Sequence, residues 1–201
     1  MPYNIETVLL VEDETRLADQ YAEILGTDYE VVTAYSGNEA LDVVDESVDA
    51  VFLDRKMPGP SGGEVLARLR DRGYDCPVAM LTAVKPDWDI IEMGFDDYLL
   101  KPVDIHDLHD AVGRLEALGA IERETREYIR QNVKQASLEG EKDASALASS
   151  EEFEALTSDV SERSAELGDI TAGLSQSETQ LIIDTISRGL EAGRGDPPDG
   201  G

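Results

Sequence analysis

Five polar side chains stand at the ends of apolar runs, and their types and order could support phosphoryl chemistry. Asp54 follows one such run, and Glu12 with Asp13 follows another. Thr82 follows a third run, and Lys101 follows a fourth and precedes a proline. Carboxylates that lie close together repel one another, so such a cluster requires a cation. Hard oxygen ligands with room for water suit Mg²⁺, which is therefore the expected ion.

The predicted chemistry is transfer of a phosphoryl group to a carboxylate. A carboxylate can accept this group when a metal ion and a lysine neutralise its charge. Lys101 would act as a point charge on the phosphoryl oxygens, and Thr82 could donate a hydrogen bond to one of them. A single acid after a strand is more often a helix cap or a turn residue. The prediction therefore depends on all five side chains occurring in this order at the ends of four successive runs.

The sequence up to Leu118 alternates strand and helix patterns, which indicates a parallel sheet covered on both faces. Ligands of such a sheet bind outside the carboxyl ends of its strands, where the five side chains stand. We predict strands over Thr7–Val11, Glu30–Ala34, Ala50–Leu53, Val78–Leu81 and Tyr98–Leu100. We predict helices over Thr15–Leu25, Gly37–Asp45 and Gly62–Arg70, with a last helix that Asp104 caps and that extends through Leu118.

Strand patterns vanish after Gly119, and an all-α extension is predicted. Its helices are expected at about Ala120–Leu138, Ser150–Leu167 and Glu178–Leu190, with capping boxes at Ser149/Glu152 and Ser177/Gln180. A heptad-like series of apolar residues must be buried against another helix of this chain or of a second copy. Its members are Phe153, Leu156, Val160, Leu167, Ile170 and Leu174. The expected domains are residues 1–118 and 119–190, followed by a disordered tail at 191–201.

The charge of the chain is extreme, because 44 acids face 17 bases and the net charge is −27. The acids keep the surface solvated, and they also fit a very salty cytosol in which self-repulsion is screened. Such a polyanion should bind nucleic acid and anionic membranes poorly. No apolar run is long enough to cross a bilayer and no targeting segment is evident, so we expect a cytoplasmic protein without a membrane partner.

Residues 5–118 resemble the receiver domain of two-component response regulators. The matching segments are Val8–Glu14, Leu53–Pro58 with Gly62, Met80–Ala83 and Gly94–Pro102. The resemblance implies a flavodoxin-like, doubly wound α/β fold with a five-stranded parallel sheet in the order 2-1-3-4-5. It also implies a response regulator that accepts a phosphoryl group from a sensor histidine kinase rather than an enzyme.

The resemblance assigns a role to each residue of the predicted site. It implies that Asp54 is the phosphoacceptor and that Lys101 pairs with the phosphoryl group. It also implies that Glu12 and Asp13 hold Mg²⁺, helped by Asp54 and by the backbone carbonyl of Lys56. Aspartyl-phosphate phosphatases of other doubly wound folds typically carry a second acid two residues after the nucleophile. Lys56 occupies that position here, which opposes an enzyme of that class.

Thr82 and Tyr98 match the switch pair of receivers, in which the ring turns inward as the threonine moves. The chain between them is shorter than usual by about three residues, or nearly one helical turn. The missing turn falls in the fourth helix, between Pro86 and Gly94, which belongs to the usual output and dimerisation face. Trp88 lies in this shortened segment and is expected to be a local packing anchor.

The second half resembles the HalX domain, the helical extension of haloarchaeal receivers, over roughly residues 115–185. A basic stripe in its first helix is expected to form i,i+4 ion pairs or to dock on an acidic partner or nucleic acid; it consists of Arg123, Arg126, Arg130 and Lys134. The leading hypothesis is a helical output domain that forms a homodimer. The alternative is a transcription regulator that binds DNA through these helices, which 8 bases against 18 acids in residues 119–201 oppose.

Overall fold

Five parallel strands form a single sheet in the computed structural model, which describes residues 3–121 and 123–167. In chain order the strands are β1 (Thr7–Val11), β2 (Glu30–Ala34), β3 (Ala50–Leu53), β4 (Val78–Thr82) and β5 (Asp97–Leu100). Their order across the sheet is β2-β1-β3-β4-β5. The predicted fold class and strand order are therefore confirmed.

The central strands bring the polar side chains to one edge of the sheet. Every residue of β1, β3 and β4 is buried, because a parallel sheet covered on both faces needs apolar side chains on both. Val11 pairs with Ala34 on one side and with Leu53 on the other. The residues that follow Val11 and Leu53 consequently emerge side by side at the carboxyl edge.

Four α-helices cover this sheet: α1 (Thr15–Leu25), α2 (Gly37–Val43), α3 (Gly62–Asp71) and α4 (Ile105–Gly119). One face of the core joins Tyr21 and Leu25 of α1 to Phe52 of β3 and Leu108 of α4. Burial of each such side chain contributes about 1.5–3 kcal/mol. This core fixes the strands that carry the candidate site.

Local signals explain where these helices begin and end. Ser61 and Glu64 form a reciprocal capping box at α3, and Asp104 caps α4 by accepting bonds from two backbone N–H groups. Gly73 follows α3 with a φ of 87°, a conformation that glycine adopts without strain. The α2 helix ends at Val43, two residues before the predicted end, because Val44 is extended.

The segment between β4 and β5 contains a 3-10 helix, Trp88–Glu92, where the fourth helix of a receiver was expected to be short. Ile90 is fully buried, and Trp88 is half-buried. Lys85–Glu92 belongs to the same compact unit as the chain from Glu127 onward, whereas the chain up to Val84 forms one unit with Met93–Arg126. The central part of the loop between the fourth and fifth strands thus belongs to the helical unit.

The described extension consists of α5 (Arg123–Glu141), α6 (Ala144–Ala148) and α7 (Glu151–Leu167). The short α6 was not predicted. Ser150, not Ser149, caps α7, because its hydroxyl accepts a hydrogen bond from the Phe153 N–H at 3.1 Å. Ser149 instead follows α6 and donates its hydroxyl hydrogen to the Ser145 carbonyl.

The heptad-like series is only partly described. Leu156 is buried, and Phe153 and Val160 are half-buried. The remaining positions of the series, the predicted helix Glu178–Leu190 and the predicted tail at 191–201 lie outside the residues or side chains that are described. The predicted domain boundaries stay predictions.

Three members of the basic stripe, Arg126, Arg130 and Lys134, are buried. Arg126 pairs with Asp75 at 2.8 Å, and Arg130 pairs with Glu127 at spacing i,i+3. Arg126 thereby holds the first turn of α5 beside the segment that precedes β4. A surface for nucleic acid would require these three cations to be exposed.

Candidate metal and phosphoryl site

Three carboxylates meet at the carboxyl ends of β1 and β3. The Asp54 N–H donates to the Val11 carbonyl at 2.9 Å, which continues the ladder between these strands to the first residue of the site. Oxygens of Glu12, Asp13 and Asp54 all lie within 4.8 Å of one another. The sheet therefore assembles the acidic cluster that the sequence predicts.

Lys101 joins the cluster from the end of β5. Its N–H donates to the carbonyl of Thr82 at 2.9 Å, and the Lys101–Pro102 peptide bond is cis. The Nζ atom lies 2.6 Å from Asp54 Oδ2 and also donates to Glu12 Oε2. One ammonium group thus contacts two of the three carboxylates.

The electrostatics of the pair Glu12 and Lys101 follow from burial and contact. Burial raises the pKa of the Glu12 carboxyl, although the bond and the charge of Lys101 lower it in part. Burial opposes the charged form of Lys101, but its bonds to Asp54 and Glu12 outweigh this and raise its pKa. Lys101 is therefore held as a cation beside the carboxylates.

The donor set fits Mg²⁺, because it consists of clustered hard carboxylate oxygens. Asp54 Oδ1 accepts a hydrogen bond from the Lys56 N–H at 3.0 Å, so the chain turns back over the acceptor at this point. The backbone carbonyl of Lys56 as a further ligand stays a prediction.

The start of α3 packs directly against the candidate acceptor. The Gly62 N–H donates to the Arg55 carbonyl at 3.0 Å. A Cβ atom at position 62 would lie 2.2 Å from the Asp54 carbonyl oxygen. Only a residue without a side chain allows this approach.

The predicted switch pair is completely enclosed. Thr82 is 0% exposed and Tyr98 is 7% exposed, with its ring 5.5 Å from that of Phe95. The Tyr98 hydroxyl donates to the Val84 carbonyl at 2.6 Å. Thr82 Oγ1 accepts a hydrogen bond from the Val84 N–H at 3.3 Å. Both switch residues therefore bond the same residue of the β4–β5 loop.

Arg55 is a residue whose role the sequence did not indicate. It directly follows Asp54, is 8% exposed, and donates from Nη1 to the Tyr98 hydroxyl at 3.2 Å. The only signal in the sequence is an arginine beside an acid at the end of an apolar run. Its partner lies 43 positions away, so only the fold could reveal the pair.

Comparison with known proteins places this site in a family. The family model of the response regulator receiver domain matches residues 8–113, more than half of the chain. The chain belongs to the response regulator receiver family. A second family model, the HalX domain, matches residues 118–181, directly after the receiver domain.

Two curated relatives share the receiver region. A Haloferax volcanii protein described as a transcriptional regulator is 45% identical over 135 residues, which cover 67% of this chain and 23% of that protein. The transcriptional regulatory protein CpxR of Escherichia coli is 37% identical over 115 residues, which cover 55% of this chain and 48% of CpxR. The chain thus spans about a quarter to a half of these relatives.

A solved structure shares the fold of the receiver domain. The response regulator TrrA from Thermotoga maritima, in complex with Mg²⁺ and BeF, is 32% identical with a TM-score of 0.50. The match covers 55% of this chain and 99% of TrrA. The aligned part therefore corresponds to almost the whole of that protein.

Proposed function

We propose that a sensor histidine kinase phosphorylates Asp54 of this receiver domain and that the HalX domain is the output. The observation that carries the proposal is the Lys101 ammonium, which bonds Asp54 and Glu12 within a cluster of three carboxylates. A buried acceptor carboxylate beside a fixed cation is what phosphoryl transfer to an aspartate requires.

Asp54 is the nucleophile in the proposed reaction. One of its carboxylate oxygens forms a bond to phosphorus while the bond between phosphorus and the imidazole nitrogen of the donor breaks. The electron pair of the broken bond stays on the donor nitrogen. Lys101 neutralises charge on the phosphoryl oxygens, and the Thr82 hydroxyl donates a hydrogen bond to one of them. Hydrolysis of the aspartyl phosphate by water, assisted by the same residues, resets the domain.

The proposed ligands of Mg²⁺ are Glu12 and Asp13, together with Asp54 and the backbone carbonyl of Lys56. When bound, the ion neutralises part of the charge that develops on the transferring group. The clustering of three carboxylate oxygens supports this assignment. The description of TrrA in complex with Mg²⁺ and BeF also supports it.

Two outputs are compatible with family membership. We favour a helical domain that changes its self-association or its protein partner. The similarity to the Haloferax transcriptional regulator and to CpxR favours the second candidate, regulation of transcription. Burial of Arg126, Arg130 and Lys134 and the excess of acids oppose direct binding to nucleic acid by the described helices.

No helix among the described residues is long and apolar enough to span a bilayer. A cytoplasmic location remains a prediction, which a fractionation of cells that express the tagged chain would check.

Acetyl phosphate tests the assignment of Asp54. In the presence of Mg²⁺ and high KCl, the full chain should gain the mass of one phosphoryl group, which is acid-stable and is removed by hydroxylamine. Asp54→Asn should abolish the gain. Asp42→Asn, which changes an exposed carboxylate on α2, is the matched control and should leave it intact. Labelling that persists in Asp54→Asn would move the acceptor to another residue.

A further inference from the structure

The central part of the chain between the two switch residues belongs to the helical unit. Thr82 ends β4 and Tyr98 lies in β5. Lys85–Glu92, which lies between them in the chain, clusters with the residues from Glu127 onward. Val84, the residue before this segment, is therefore joined directly through the backbone to the helical unit.

Buried contacts attach the segment to α5 and α7. Lys134 of α5 is 3% exposed and donates from Nζ to the Ile91 carbonyl at 2.8 Å. The Trp88 ring lies 6.4 Å from the Phe153 ring of α7, at a tilt of 60°. A buried ammonium bonded to a carbonyl and a tilted aromatic pair both depend on fixed geometry.

Two ion pairs also join residues of this segment to the end of α5 and the residue that follows it. Lys85 Nζ contacts both carboxylate oxygens of Glu141, at 3.0 and 3.1 Å. Lys142 Nζ lies 2.7 Å from Asp87 and 5.3 Å from the centre of the Trp88 ring. Salt screens such pairs where they are exposed. The buried contact of Lys134 and the aromatic contact of Trp88 consequently provide the attachment that persists at high salt.

Arg55 connects Val84, the residue directly before Lys85–Glu92, to the proposed phosphoryl site. Its guanidinium donates to the Tyr98 hydroxyl, and that hydroxyl donates to the Val84 carbonyl at 2.6 Å. The series therefore runs from the neighbour of Asp54 through Tyr98 to the residue that precedes Lys85–Glu92.

We propose that Arg55 is a positioning residue that couples phosphorylation of Asp54 to the helical unit, through Tyr98, Val84 and the Lys85–Glu92 segment. The inference rests on the phosphorylation of Asp54 proposed above, and it adds the route that the signal takes in this chain. Phosphorylation replaces the single negative charge of the Asp54 carboxylate with about two on the phosphoryl group, a net gain of about one, in the residue directly before the buried Arg55. The charge changes the balance between Arg55 bonded to Tyr98 and Arg55 drawn toward the acceptor.

The chemistry of arginine suits this role. A guanidinium presents five N–H donors in a rigid plane and stays charged at any accessible pH. Loss of a hydrogen bond to a charged donor changes an equilibrium by about tenfold or more. A shift of that size in the Arg55–Tyr98 bond is enough to move Val84 between two arrangements, provided that each arrangement is separately stable.

Trp88 supplies a built-in reporter, because it is the only tryptophan of the chain and lies within the segment. Beryllofluoride with Mg²⁺ in high KCl should change its emission in the full-length wild-type chain, and Asp54→Asn should abolish the change. Phosphoryl uptake from acetyl phosphate is measured separately by intact mass. A wild-type chain that gains no phosphoryl mass would contradict the proposed function itself.

Two variants test the route. Arg55→Met keeps most of the side-chain volume and removes the donor, and Tyr98→Phe keeps the ring and removes the hydroxyl. Both should fold by circular dichroism, and both should lose most of the Trp88 response when compared at saturating beryllofluoride. Arg72→Met is the matched control, because the Arg72 guanidinium also donates a hydrogen bond to a distant part of the chain, the Leu41 carbonyl, but takes no part in this series.

Each outcome has a defined consequence. Phosphorylation of Arg55→Met at the wild-type level, with loss of the Trp88 response, supports the positioning role. A wild-type response in Arg55→Met, or a phosphorylated wild-type chain whose Trp88 emission is unchanged, overturns the proposal. Loss of phosphoryl uptake in Arg55→Met, while Tyr98→Phe retains the full response, also overturns it, because Arg55 would then act on the transfer itself.

Discussion

Lys101 is the residue on which the charge balance of the site depends. Its ammonium lies 2.6 Å from Asp54 Oδ2 and also contacts Glu12. Asp13 contributes a third carboxylate to the same cluster. We therefore expect Asp13 and Lys101 to have different roles, the first in binding the ion and the second in the response to the phosphoryl group.

Isosteric substitutions separate the two roles. Asp13→Asn removes an anionic ligand and should weaken Mg²⁺ binding about tenfold or more, or about 1.4 kcal/mol. Lys101→Met removes a cation near the proposed ion and should leave binding intact or tighter, yet impair the response to phosphorylation. Titration calorimetry with Mg²⁺ in KCl measures the affinity of each variant for the ion. An equal loss of Mg²⁺ binding in the two variants would contradict this division.

The sequence predicted which polar side chains lie at the strand ends but not the bonds that hold the predicted switch pair. Glu12, Asp54 and Thr82 were predictable, because each follows a continuous apolar run and parallel strands end at a common edge. The bond from Arg55 to Tyr98 was not predictable, because it depends on how side chains from β3 and β5 pack in three dimensions. The residue types along the chain do not indicate such a pair.

At the scale of elements, the start of α3 determines the shape of the loop that follows Asp54. The Ser61/Glu64 capping box fixes the first turn of this helix. The same turn places Gly62 so close to Asp54 that an added Cβ atom would lie 2.2 Å from the Asp54 carbonyl oxygen and 2.9 Å from Arg55 Cα. Both clashing atoms belong to the backbone, so a side-chain rotation cannot relieve them.

A pair of glycine substitutions tests this close approach. Gly62→Ala should destabilise the chain by about 1–3 kcal/mol through overpacking and should lower phosphoryl uptake by displacing Asp54. Gly113→Ala, in the middle of α4, meets nothing within 4 Å and should stabilise by about 0.5–1 kcal/mol through helix propensity. Urea unfolding in constant KCl gives both values. Equal stability of the two variants would show that the backbone at the start of α3 shifts to accommodate the added methyl group.

Other elements show where sequence patterns lose information. The five-residue α6 helix is too short to give a periodic signal. The cap of α7 was placed one residue early because Ser149 and Ser150 are both good capping residues. In α5 the basic residues were expected to form i,i+4 ion pairs or to dock on a partner, but Arg126 and Lys134 are buried because each finds an acceptor elsewhere in its unit.

At the scale of the whole molecule, the net charge of −27 opposes compaction. The Debye length falls to about 3 Å at 1 M salt, so KCl screens the repulsion. We expect the urea midpoint of unfolding to rise as KCl increases from low to multimolar concentration. Sucrose at equal osmolality is the control, because it favours burial without screening charge. An equal rise in sucrose would assign the effect to solvent exclusion instead of screening.

The apolar residues of α7 suggest that the helical unit associates with a second copy. Val160 remains half-buried on α7 next to the buried Leu156. An isolated helix of this kind is marginal in water and gains stability from a partner. We propose that the helical unit forms a homodimer and that phosphorylation shifts the equilibrium by about 1–3 kcal/mol. Cutting the chain after Leu118 is a poor test, because Ile90 is fully buried and its segment clusters with the extension.

Light scattering of the full chain in high KCl tests the proposed homodimer more directly than truncation does. Beryllofluoride with Mg²⁺ should raise the mass of the wild-type chain toward that of a dimer. Val160→Asp should prevent the rise, because it buries a charge in the proposed interface. Ser161→Asp adds the same charge at the neighbouring exposed position and should leave the rise intact. A wild-type chain that stays monomeric with and without beryllofluoride would contradict the dimer, and the partner of α7 would then be another helix of the same chain.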